Sequence, residues 1–128
     1  MNNGKHLLVE VVAKNNRGFK DKRFIKRLFR EIIEVAEMKA VSPTLIYQFP
    51  PRQSKLKSGL TAFCVLAESH LSIHTWPENN YFALDLFSCR DFNEKKVISL
   101  IKKNFAVKKI YIQVIRRGLG FIFKGLRN

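Results

Sequence analysis

The chain has 128 residues and a formal net charge of +14, from 24 Lys and Arg against 10 Asp and Glu. That length carries one domain with a core of its own, and 46% hydrophobic against 27% charged residues excludes a disordered chain. The first apolar run spans only about seven residues between polar flanks, which excludes a signal peptide or membrane span there and leaves a soluble cytoplasmic protein as the expectation.

In chain order, "HLLVEVVA" (residues 6–13) reads as a first strand, with His6 as strand filler. From Asp21 to about residue 40, Phe24, Ile25, Leu28, Phe29, Ile32, Ile33 and Ala36 recur at three- and four-residue spacing. That predicts an amphipathic helix with Lys and Arg on its wet face. Residues 44–48 predict a short strand, and "FPPRQSKLKSGL" a loop broken by paired prolines and Ser-Gly. Strands follow over 61–67, 71–76 and 81–87, the last two joined by the turn "PENN". Asn93 is placed to cap a second helix with Val97, Ile98, Ile101 and Phe105 on one face, and 110–115 is a last strand. The tail "RRGLGFIFKGLRN" has no pattern that assigns it. Strand, helix, four strands, helix, strand predicts an α+β fold, a two-layer sandwich with a mostly antiparallel sheet and two helices on one face. Such a sheet leaves its second face to solvent or a partner, and an apolar second face favours a homodimer.

Cys64 and Cys89 show no paired spacing and read as reduced thiols, with Cys64 a packing residue inside "AFCVLA". The cations sit mostly on polar helix positions, with no zinc finger, aromatic RNA-binding signature or glycine-rich clamp, so nucleic acid is not the expected partner. Their distribution is more informative than their number. Residues 61–89 contain Glu68, Glu78 and Asp85 but no Lys or Arg. Buried strands exclude charge in any case, yet a site for a cationic ligand would also want this segment free of like charge.

Within it lies "AESHLSIHTWPE", residues 67–78. Its neighbours favour a strand, where His70 and His74 stand about 13 Å apart at ~3.3 Å per residue, too far to clamp one metal ion. No metal is expected. No glycine elbow surrounds Ser69, so a hydrolase-type serine is not supported. Taken alone, Ser69 reads as a turn serine, His74 as a hydrogen-bonded core histidine, Cys89 as a small hydrophobe and Trp76 as architecture.

The block Glu-Ser-His-x-Ser-Ile-His-Thr-Trp-Pro-Glu, followed by Asp-x-Phe-x-Cys, resembles the prokaryotic S-adenosylmethionine decarboxylase proenzymes. The resemblance runs from "GKHLLVE" to about Phe105. It implies that Ser69 attacks the carbonyl of Glu68 and that the chain cuts itself there, into residues 1–68 and 69–128. Ser69 would become a pyruvoyl group, a carbonyl cofactor forming a Schiff base with the substrate amine. The resemblance makes His74 the processing base and Cys89 the proton donor to the substrate carbon. It assigns Glu78 to the ribose hydroxyls and Phe49 to adenine stacking, with S-adenosylmethionine as substrate and spermidine synthesis as the purpose. His70 and Ser72 take no assigned role.

Thr61 stands where the family has serine, and Ala62 follows in place of glycine. The threonine hydroxyl can still support processing, so slower or unchanged cleavage is expected. The loop after Phe49 is longer than the family's, and "AKNNRGFKDK" lacks the usual cysteine-and-acid pattern. Arginine remains an alternative substrate on the same scaffold, and a processing-dead relative binding polyanions is the non-enzyme alternative.

Overall fold

A computed structural model of the chain describes residues 4–49 and 58–118. The first strand, β1 (Gly4–Ala13), buries Leu7, Val9, Val11 and Ala13 and turns the residues between them the other way. This is the period of two that a half-buried strand imposes. The chain then forms α1 (Lys22–Val35), β2 (Leu45–Phe49), β3 (Gly59–Leu66), β4 (Ser69–Trp76), a 3-10 turn (Pro77–Asn79), β5 (Tyr81–Ser88), α2 (Glu94–Asn104) and β6 (Val107–Arg117). The strands form one sheet in the order β2-β3-β4-β5-β1-β6, every pairing antiparallel. Both helices cover the same face, giving the two-layer α+β sandwich.

Asp21 starts α1 by accepting hydrogen bonds from the N–H groups of Arg23 and Phe24 at 3.0 and 3.2 Å. Ile25, Leu28, Phe29 and Ile32 form its buried stripe. The helix ends several residues earlier than its apolar periodicity predicts. Glu37 adopts the left-handed conformation at φ 57°, and the N–H groups of Met38 and Glu37 return to the carbonyls of Ile33 and Glu34. That closure usually falls on glycine; here no residue type announces it. Asn93 caps α2 through the Lys96 N–H, as the sequence predicts.

The core lies between the layers and includes a knot of aromatic rings. Phe82 and Phe105 approach to 4.6 Å between centroids, with Phe19 5.6 Å from Phe82 and 5.7 Å from Phe105. Cys64 packs there as expected. Lys5, only 4% exposed, reaches from β1 to the start of α2, bonding Asp91 at 2.9 Å, the Phe92 carbonyl at 2.8 Å and Glu94. A buried ammonium needs such partners. The bare face carries exposed Leu45, Tyr47, Phe49, Phe63, Val65 and Ile115, more apolar surface than a solvated sheet face usually shows.

The predicted strands are all present, with shifted ends. β2 begins and ends one residue later, β4 begins at Ser69, and β6 runs from Val107 to Arg117. "PENN" forms the 3-10 turn and closes with Asn80 left-handed. Most of the predicted 49–60 loop and of the C-terminal tail lies outside the described residues.

Thr75 ties the layers together. Its buried hydroxyl donates to the Phe19 carbonyl at 2.8 Å and accepts from the Leu60 N–H at 3.0 Å. Thr75→Val keeps the shape but strands both groups, so denaturant unfolding should show a loss of about 1–3 kcal/mol.

Candidate active site

β3 and β4 reverse in two residues, Ala67 and Glu68, with Leu66 opposite Ser69. Turns of this length favour Asn and Gly, and this one has neither. Its support comes from outside the hairpin. The Ala67 N–H donates to the Lys39 carbonyl at 2.8 Å, and the Lys39 N–H donates to Glu68 Oε1 at 3.1 Å. The Cys89 N–H donates to the Glu68 carbonyl oxygen at 2.9 Å. The Arg90 guanidinium lies 3.5 Å from Glu68 Oε2 and also donates to the Glu37 carbonyl. Glu68, Ser69 and Cys89 are therefore neighbours. Ser69 pairs with fully buried Ser88, while Cys89 is a free, exposed thiol.

A second group forms at the far end of the same hairpin. Thr61 lies opposite His74, with Thr61 Oγ1 and His74 Nδ1 3.0 Å apart. Phe49, Thr61, His74 and Trp76 line a cleft of about 180 Å³. Trp76, expected to be architectural, is 41% exposed on the bare sheet face with its ring 6.3 Å from that of His74, and it also lines the cleft. Glu78 is exposed in the 3-10 turn that follows, outside the cleft lining.

The two groups do not meet within one chain. Ser69 and His74 are five positions apart on β4, about 16 Å at ~3.3 Å per residue. An odd interval also sends them to opposite faces: Leu71, Ile73 and Thr75 point into the core, while His70, His74 and Trp76 lie on the bare face. One group holds Glu68, Ser69 and Cys89; the other holds Phe49, Thr61 and His74, with Glu78 beside it.

Sequence reasoning missed several contacts. His6 Nε2 lies within hydrogen-bond distance of Asp85 Oδ1, at 3.0 Å, so it is not filler. His70 stacks on Phe63 with ring centroids 5.3 Å apart. A larger groove of about 740 Å³ crosses the bare face along β1, β5 and β6, bordered by Glu10, Tyr81, Asp85 and Tyr111. It contains no predicted site residue, so size is a poor guide here. Burial and the hydrogen bond to Glu10 push the Tyr81 hydroxyl up to about 12. No cluster of three metal-ligating side chains occurs among the described residues, and no described helix is long and apolar enough to cross a membrane.

Burial is the first cause holding His70 below its ordinary value of 6.5, with His6 and Arg117 acting the same way and Asp85 against them. The fold therefore favours neutral His70. Its contribution to stability is complete above pH 6.5 and is lost as pH falls toward the lower folded value. NMR titration should place the His70 midpoint below 6.5, and His70→Gln should flatten the acid-side loss of stability.

A family model described as S-adenosylmethionine decarboxylase matches residues 5–118. The S-adenosylmethionine decarboxylase proenzyme of Clostridium botulinum (strain Langeland) is 28% identical over 116 residues, 90% of this chain and 94% of that protein. The proenzyme of the same name from Thermococcus kodakarensis is 31% identical over 117 residues, 91% of this chain and 77% of its own. The crystal structure of the adenosylmethionine decarboxylase from Aquifex aeolicus VF5 superposes with a TM-score of 0.76 at 29% identity, covering 91% of this chain and 92% of that one.

Proposed function

The chain belongs to the S-adenosylmethionine decarboxylase family, and we propose that it is a self-cleaving, pyruvoyl-dependent decarboxylase of S-adenosylmethionine that works as a homodimer. The observation carrying this reading is the 2.9 Å hydrogen bond from the Cys89 N–H to the Glu68 carbonyl oxygen. A donor aimed at that oxygen polarises the carbonyl and meets the negative charge that develops when a nucleophile attacks it. Ser69 Oγ attacks the Glu68 carbonyl carbon, the amide C–N bond breaks, and an ester takes its place. Loss of the Ser69 Cα proton then breaks the Cβ–Oγ bond and expels Glu68 as a carboxylate. Hydrolysis with release of ammonia leaves the pyruvoyl group at the start of the 69–128 chain.

The pyruvoyl group supplies an electron-accepting carbonyl for loss of carbon dioxide from an α-amino acid. The other tasks fall to ordinary side chains. Cys89, exposed beside the cut, returns a proton to the substrate carbon. His74 Nδ1 lies 3.0 Å from Thr61 Oγ1, and in the tautomer that carries its proton on Nδ1 the Nε2 atom is the basic nitrogen for the elimination. Phe49 stacks on adenine, and Trp76 adds cation–π attraction for the sulfonium. The Glu78 carboxylate suits the two ribose hydroxyls.

The separation of the two groups supports the homodimer. Stacking two bare sheet faces about a twofold axis buries the exposed apolar residues and lays the His74 end of one subunit's β4 against the opposite end of its partner's, where the Glu68–Ser69 turn lies. Thr61 keeps a hydroxyl at this position, 3.0 Å from His74 Nδ1, which supports slower or unchanged processing and not its loss. Cytoplasmic spermidine synthesis fits this activity.

Intact mass of incubated protein should show chains of 68 and 60 residues with Ser69 converted, releasing carbon dioxide from S-adenosylmethionine and not from arginine. A single unmodified chain, as expected for Ser69→Ala, would sink the mechanism. Release from arginine alone would replace the substrate. A mixing experiment tests the shared site: His74→Ala alone should stay whole but be cut once co-refolded with Ser69→Ala. Persistence of the whole His74→Ala chain in the mixture would remove the second subunit from the site.

A further inference from the structure

Glu68 is held by more than the hairpin needs. Its carbonyl oxygen takes the Cys89 N–H at 2.9 Å, one carboxylate oxygen takes the Lys39 N–H at 3.1 Å, and the other faces the Arg90 guanidinium at 3.5 Å. Arg90 is also fixed at both ends. Its backbone N–H donates to Ser88 Oγ at 3.1 Å, and its guanidinium donates to the Glu37 carbonyl where α1 closes. It is the first cation after the cation-free residues 61–89. Among the described residues it is the one cation in ion-pair reach of Glu68.

We infer that Arg90 is a positioning residue for self-cleavage, the counter-ion that makes a carboxylate tolerable beside the scissile bond. This rests on reading Glu68–Ser69 as the bond that is cut. Cleavage places negative charge on Glu68 twice. During attack by Ser69 Oγ the electron pair of the carbonyl double bond moves onto the Glu68 oxygen. During elimination the pair of the Cβ–Oγ bond leaves with Glu68 as its new α-carboxylate, while the Ser69 Cα proton goes to the base. In both states the Glu68 side chain is a like charge on the same residue, and like charges at such separations oppose each other strongly in a partly buried site. Arg90 offsets the side-chain charge and anchors the carboxylate. Lys39 and Cys89 then hold the rest of the residue, so its carbonyl stays aligned on the Cys89 N–H. After the cut, the same guanidinium faces a chain end bearing two carboxylates and retains it.

The test is a double-mutant cycle read as the rate of chain splitting by intact mass, with thermal midpoints measured alongside. Arg90→Ala should slow splitting at least tenfold at an unchanged midpoint, and Arg90→Lys should restore most of the rate. In a Glu68→Gln background, where no side-chain charge remains to be offset, Arg90→Ala should change the rate less than twofold. Hydroxylamine, which cleaves esters, locates the defect: Arg90→Ala should yield less hydroxylamine-cleavable chain than wild type at early times, because the ester forms poorly. A wild type that splits beside an Arg90→Ala that splits equally fast overturns this inference alone. So does an Arg90→Ala defect of undiminished size in the Glu68→Gln background, which would assign the effect to the Glu37 carbonyl contact. A wild-type chain that stays whole overturns the cleavage reading and this inference with it.

Discussion

Between Leu66 and Ser69 the chain reverses in two residues, and the ladder that this turn closes fixes the side of the sheet on which each later residue lies. Because β4 begins at Ser69, its odd positions fall in the core and its even positions on the bare face. A slip of one residue would bury His70, His74 and Trp76 and expose Leu71 and Ile73. The turn itself has none of the residues that make such reversals easy, and it is held by the end of α1 and the end of β5. The short α1 thus has a purpose beyond packing: the left-handed Glu37 brings Lys39 and the Glu37 carbonyl to the hairpin tip.

Much of the fold was legible because burial writes its period into the sequence. Alternation in residues 6–13 and 81–87 and the stripe from Phe24 to Ile32 are the patterns that the core requires. Element ends were less legible because they depend on partners. β6 extends to Lys108 and Arg117, residues that do not look like strand, because the ten residues of β1 offer it a ladder. The end of α1 was hidden because a glutamate occupies a position that glycine usually marks.

The chemistry divides in the same way. A linear motif gathers Glu68, Ser69, His74 and Glu78 into one block, and proximity in sequence suggests proximity in space. A strand separates what a helix would unite, and only its period of two reveals that Ser69 and His74 face apart. His6 passed as filler because its partner Asp85 is 79 positions away. Arg90 escaped notice because it falls one residue beyond the block.

The strand order carries a further consequence. Counting across the sheet, β2, β3 and β1 precede residue 69 in the chain, while β4, β5 and β6 follow it, so the two sets interleave. A break at Glu68–Ser69 leaves three ladders spanning the two pieces: β3 with β4, β5 with β1, and β1 with β6. The native structure would hardly register the loss of one peptide bond, but the route back to it would change. An uncut chain finds its partners as a single molecule. Once divided, two chains must meet in solution, and recovery from unfolding becomes a second-order reaction that slows as the protein is diluted. Folding before cutting is therefore the economical order, and a divided molecule, once lost, is unlike the one first made.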